Sequence, residues 1–155
     1  MSLVITYLLV CFVEFWYNLP NNDERNDCIK LNPDCIRDIL LLAEKETSLD
    51  FYLDISPNEL PESLIQYAPD EVMYHIKQCE LSNLLLVPSW YLDGSCIISY
   101  LTPDGHQFLA NIREDNNWNK TKEIAASVGS NSLDVIKDIA SNVIAALIQS
   151  ALHGQ

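Results

Sequence analysis

Thr102-Pro103-Asp104-Gly105-His106-Gln107-Phe108-Leu109-Ala110-Asn111-Ile112-Arg113 is the stretch that decides the fold. Thr102 is a good helix cap, and Pro103 suits the first helical turn, where a missing N–H costs nothing. The helix so opened follows directly on Leu86 to Leu101, two apolar runs parted by Asp93-Gly94. A two-residue hairpin turn needs backbone φ above zero, and Asp-Gly adopts it cheaply. A hairpin running straight into a capped helix is therefore predicted.

Upstream, Asn32 is a good N-cap, Pro33 a good first helical residue, and Asp34 complements the helix dipole. Ile36, Ile39, Leu40 and Ala43 recur at helical spacing, so a helix is predicted over Pro33 to Glu46. Leu49, Phe51, Leu53 and Ile55 alternate with Asp50, Tyr52 and Asp54, the period of a half-buried strand. Ser56-Pro57-Asn58 breaks it. A short helix follows from Pro61 to Tyr67 and stops at Ala68-Pro69. A third runs from Asp70 to Ser82, with Val72, Ile76 and Cys79 inward and Met73 beside them. Leu84 to Val87 then leads into the hairpin, and Cys96, Ile98 and Tyr100 alternate with Ile97 and Ser99 on the return strand.

This order of helix, strand, two helices, hairpin and helix is that of a winged helix-turn-helix. The predicted fold is α+β, mostly helical, with the winged-helix domain over 30–129, the β-hairpin as its wing, and additional C-terminal helices. The helix from Pro103 should reach Val128, broken near Asp115-Asn116-Asn117 and stopped by Gly129. The C-terminal apolar helix, within 130–155, opens at Ser132. Leu133, Ile136, Ala140, Val143 and Leu147 recur at steps of three and four, widened by Ile139, Ile144, Ile148 and Leu152. Such a helix is too apolar to stand free in water. It either packs on its own domain or pairs with a second copy through 132–152. Its single Lys, Lys137, argues against a membrane surface.

Charge is the second strong fact: 22 acids against 9 bases, net −13. Between Asp34 and Glu80 eleven acids face Arg37, Lys45 and Lys77, and no Lys or Arg occurs from Gln78 to Ile112. Nucleic-acid affinity rests largely on Lys and Arg at phosphates, so this balance disfavours duplex DNA. The five cysteines, Cys11, Cys28, Cys35, Cys79 and Cys96, are odd in number and scattered. They fit buried thiols in a reducing cytoplasm. Residues 1–29 read as an atypical extension. Leu3 to Val13 is too short to span a bilayer, lacks the basic start of a secretory signal, and leads into the polar linker Asn18 to Asp27.

Several segments taken together carry a resemblance: Lys30-Leu31-Asn32-Pro33-Asp34-Cys35-Ile36-Arg37-Asp38-Ile39-Leu40, Tyr74-His75-Ile76, Leu101 to Leu109, and Ile112-Arg113 with Trp118. From Lys30 to its C-terminus the chain resembles a domain-of-unknown-function family of small proteins from Gram-positive bacteria and their phages. The resemblance implies a winged helix and a prophage or mobile-element context. It carries over no catalytic or binding residue. The family usually opens with Met where Ile29 stands, which again sets residues 1–29 apart.

His75 and Cys79, four apart on one helix, share a face and could ligate zinc, but two further ligands are needed, and Cys28 and Cys35 lie in or near the linker. A core Cys beside a half-buried His is the preferred reading. His106, in the first turn of its helix, reads as a structural His bonded to the hairpin. No phosphate loop, nucleophile elbow or paired-His motif occurs. No catalytic, cofactor-binding or metal-binding residue is assigned, and the chain is not expected to be an enzyme. A winged helix places its base reader on the third helix, yet there Lys77 stands alone against three acids. The partner-binding candidates are Tyr74, His75, Lys77 and Gln78 on that helix and Trp90 and Tyr91 on the wing. Exposed aromatics there suit protein contact. The expected function is non-enzymatic protein–protein interaction. A DNA-binding regulator is the alternative, and would require Arg113, Lys120 and Lys122 to form a basic surface.

Overall fold

A computed structural model describes residues 29–153, and the expected N-terminal extension lies outside them but for Ile29. Helix α1, Pro33–Glu46, begins where its caps place it: the Asn32 side chain accepts from the Asp34 and Cys35 N–H groups at 3.1 and 3.4 Å. Its inner face, Cys35, Ile36, Ile39, Leu40 and Ala43, is fully buried. At the far end the Thr47 hydroxyl donates to the Ala43 carbonyl at 2.7 Å.

Only Leu53–Ile55 forms the following strand, β1. The alternation that predicts a strand from Leu49 fails because the chain turns there. Ser48 N–H bonds the Phe51 carbonyl at 2.9 Å, and Leu49, Phe51 and Tyr52 are left in solvent. The helix expected from Pro61 to Tyr67 shrinks to one 3₁₀ turn, Glu62–Leu64. It plugs Leu64 into the core, while the Tyr67 hydroxyl donates to Asp38 at 2.7 Å. Helix α2 is Pro69–Leu81, with Pro69 in its first turn. Val72, Ile76 and Cys79 are buried as the spacing requires.

Asn83 then adopts a left-handed φ of 55° and turns the chain. The hairpin is one register throughout: Leu85↔Leu101 and Leu86↔Tyr100 pair β2 (Leu85–Leu86) with β5 (Tyr100–Leu101). Ser89↔Ile97 and Trp90↔Cys96 pair β3 (Ser89–Trp90) with β4 (Cys96–Ile98). Pro88, which has no N–H to donate, sits at the gap between the two ladders. The turn is not the expected two-residue Asp93-Gly94. Tyr91 N–H bonds the Ser95 carbonyl at 2.9 Å, which makes the loop Leu92-Asp93-Gly94. Gly94, at φ 85°, takes the left-handed place of a three-residue loop. β1 lies antiparallel on the other side of β4, in sheet order β1-β4-β3.

Helix α3, Pro103–Ile112, is capped by the Thr102 hydroxyl, which accepts from Gly105 N–H at 3.0 Å and donates to the Asn83 carbonyl. The break before α4, Asp115–Val128, falls at Arg113-Glu114, two residues ahead of the sequence expectation. Arg37 of α1 explains the position: its guanidinium donates to the Arg113 carbonyl and to Asp115 at 2.8 Å, so it ties both helix ends to α1. Gly129 ends α4 at φ 68°. Helix α5, Leu133–His153, lays Leu133, Ile136, Ala140 and Val143 against α3 and α4. From Ala145 onward it is exposed. By length and composition alone it is the one described helix able to cross a membrane. The described fold is α+β and mostly helical, with small antiparallel sheets.

Candidate functional site

The face formed by α2 and the β3–β4 hairpin gathers most of the candidate residues. Tyr74 and Gln78 are half-buried on the outer side of α2, and Lys77 is exposed. One acid organises this face. Glu80 Oε2 accepts from Lys77 Nζ at 2.7 Å and from the Trp90 indole N–H at 3.0 Å, while the ammonium stands 5.1 Å from the indole centroid. Lys77, Glu80 and Trp90 thus close a clasp between helix and hairpin. Leu81, which follows Glu80, and Tyr91 and Leu92, which follow Trp90, are exposed, and Asp93 stands next to Leu92 in the loop.

His75 does not belong to that surface. It is fully buried, and each ring nitrogen has its own backbone partner. Nε2 accepts from Asn32 N–H at 2.7 Å, so Nδ1 carries the proton and donates to the Glu71 carbonyl at 2.7 Å. Burial holds its pKa below the usual histidine value, against the pull of Glu71. The ring meets Tyr74 edge-on at 5.2 Å. It is therefore closed to a partner, contrary to its expected place among the contact residues: hydrogen bonding to the start of α1 carries it deeper than the half-buried position expected beside Cys79. Zinc is equally ill served, since both nitrogens are engaged and burial raises the Cys79 thiol pKa well above normal. Among the described residues no group of three His, Cys, Asp or Glu could hold a metal ion. Cys35 and Cys96 are buried free thiols, each pushed up to about 12, and Cys28 lies outside the described residues.

The basic cluster is dispersed by its partners. Arg113 donates to both oxygens of Glu44 at 2.6 Å. Lys122 holds Asp34 at 2.8 and 3.1 Å, and the Trp118 indole N–H donates to the same carboxylate at 2.6 Å. Burial raises the Asp34 pKa, but these bonds outweigh it and hold the carboxyl below its ordinary value. Lys120 remains exposed. Among the described residues Arg37, Lys45, Lys77, Arg113 and Lys122 are all in ion pairs, leaving Lys30, Lys120 and Lys137 outside them.

His106 is not bonded to the hairpin as expected. Its ring is exposed, 3.8 Å from Glu44, on the wall of an open pocket of about 320 Å³ with Thr47, Ser48, Leu49, Tyr100 and Leu101. Glu44 there is already held by Arg113.

Leu81 and Leu92 were missed by the sequence reading, though both left a trace. Leu81 falls off the Val72–Ile76–Cys79 stripe, and Leu92 is apolar in a turn that favours polar residues.

Residues 30–131 match the family described as "Hypothetical protein (DUF2513)". An "Uncharacterized protein" of Haemophilus influenzae (strain ATCC 51907 / DSM 11121 / KW20 / Rd) is 32% identical over 123 residues, which is 77% of this chain and 99% of the relative. No solved structure matches the chain. With two thirds of its length matched, the chain belongs to the DUF2513 family.

Proposed function

We propose that this protein is a non-enzymatic winged-helix module that works by binding another protein through the α2–hairpin face. The winged-helix reading rests on the element order and on β1 pairing with β4 in the order β1-β4-β3. One observation carries the choice of partner. Lys77, the single cation of α2, is spent on Glu80 and Trp90, so the face offers apolar tips and no unpaired cation, in a chain of net charge −13. Its complement is a protein surface with apolar pockets and a cationic rim. The resemblance to phage-borne proteins adds a mobile-element setting, and the buried thiols suit a cytoplasmic one.

DNA-binding regulation is the rival. It needs Arg113, Lys120 and Lys122 free to meet phosphates, whereas Arg113 and Lys122 are paired with Glu44 and Asp34. The deciding experiment is anisotropy of a labelled random duplex titrated with protein at low salt, where non-specific affinity is greatest. No binding is expected. Salt-sensitive binding abolished by replacing the three cations with Ala would transfer the assignment to DNA. For the protein partner, capture from host lysate should depend on Tyr91 and Leu92. Repeated failure to recover such a partner would sink the proposal.

A further inference from the structure

Helix α5 outruns the domain it is built into. Leu133, Ile136, Ala140 and Val143 fill the groove between α3 and α4. The apolar stripe continues: Ile144, Leu147 and Ala151 extend it at steps of three and four, with Ile148 and Leu152 beside them. Leu147, Ile148 and Leu152 are nevertheless 45%, 54% and 73% exposed. At helical spacing Asn142, Gln149 and His153 take the opposite side, so the projecting end has an apolar face of its own. A helix end of about nine residues is marginal when left alone in water.

Charge identifies what covers it. No Asp, Glu, Lys or Arg occurs from Ile139 to Leu152, in a chain of net charge −13. A cationic partner finds no carboxylate here, and an acidic bilayer finds no Lys or Arg beyond Lys137. Two copies of this polyanion repel each other at most surfaces, but not at this one. An isologous contact sets the same patch against itself, and this patch is uncharged, apolar and spaced like a two-helix seam. We propose that α5 beyond Val143 is the contact surface between two copies of this chain. This inference stands apart from the partner-binding reading of the α2–hairpin face.

The test is sedimentation velocity of the full chain from micromolar to submillimolar concentration, at low and high salt. A dimer is expected, and it should tighten as salt rises. The apolar contact is little affected by ions at these strengths, while the mutual repulsion of the copies is screened. Docking of a cationic partner would show the opposite trend. Ile148→Asp with Leu152→Asp should weaken the dimer more than about tenfold. Both side chains are exposed, so the unfolding midpoint of the monomeric domain should hold. Ile148→Ala with Leu152→Ala, which keeps helix propensity, should weaken it less but in the same direction. A monomer at every concentration would overturn the proposal. So would a dimer indifferent to both double variants, or a monomer that cosediments with phosphatidylcholine vesicles through these residues.

Discussion

Gly105 packs its bare Cα against the Leu84 carbonyl: a Cβ built there would overlap that oxygen and come within 3.0 Å of the carbonyl carbon. The same oxygen accepts from Thr102 N–H at 3.1 Å, so a retreat of the Leu84 carbonyl would stretch its bond to the residue that caps α3. Gly105→Ala should cost at least about 2 kcal/mol, the upper range for overpacking, because the obstacle is backbone. Urea unfolding measures it. Gly129→Ala is the contrast. Open space surrounds Gly129, and its left-handed φ alone should cost about 1 kcal/mol.

His75→Ala should remove the acceptor of Asn32 N–H and the donor to the Glu71 carbonyl, and leave a buried void. A loss of about 3 kcal/mol is expected.

The depressed His75 pKa also predicts a pH profile. The unfolded chain binds this proton more readily than the folded one. Stability is therefore complete above the ordinary histidine value of about 6.5 and falls as pH drops from there towards the lower folded value. Unfolding free energies across mildly acidic pH should show this slope in the wild type and lose it in His75→Gln. An unchanged slope would mean that another group carries it.

Asp34→Asn should keep a partner for the Trp118 indole but lose the charge that holds Lys122 and meets the α1 dipole. About 1 kcal/mol of stability should go at neutral pH. Because the folded pKa of Asp34 is depressed, its contribution is present above the unfolded value of about 3.9 and is lost as pH falls through the lower folded one. Wild type and variant should therefore converge in acid.

Tyr91→Ala with Leu92→Ala should leave stability within about 0.5 kcal/mol, since both residues are exposed, while abolishing capture of the partner. Trp90→Ala should lower stability as well, because it opens the clasp with Glu80 and Lys77. A double variant that still captures the partner would move the site elsewhere.

What could be read along the chain was local. Asn32, Pro33 and the Ile36–Ile39–Leu40–Ala43 stripe all argue for one helix, and α1 has the expected bounds. Thr102 and Pro103 do the same for α3. Where the reading failed, the deciding partner lay far off in sequence. Alternation from Leu49 to Ile55 describes side-chain parity, but a strand needs a ladder, and β4 supplies β1 with only three residues. His75 was expected half-buried, and its full burial could not be read because its acceptor role toward Asn32 spans 43 positions. Arg113 and Lys122 looked like a basic patch because their carboxylates, Glu44 and Asp34, come from α1. Neutralisation across such distances leaves no periodicity to detect.

The clasp of Lys77, Glu80 and Trp90 also bears on how fast and at what entropic cost this face can engage. A hairpin hinged freely would have to be immobilised on every encounter, and each rotamer-rich side chain stilled at an interface costs about 0.5–1.5 kcal/mol. Here the lysine ammonium and the indole N–H are already paired with Glu80 in the unbound protein. Association should therefore be a nearly rigid encounter, limited by orientation rather than by rearrangement, with little ordering left to offset the burial of Tyr91 and Leu92 against the partner.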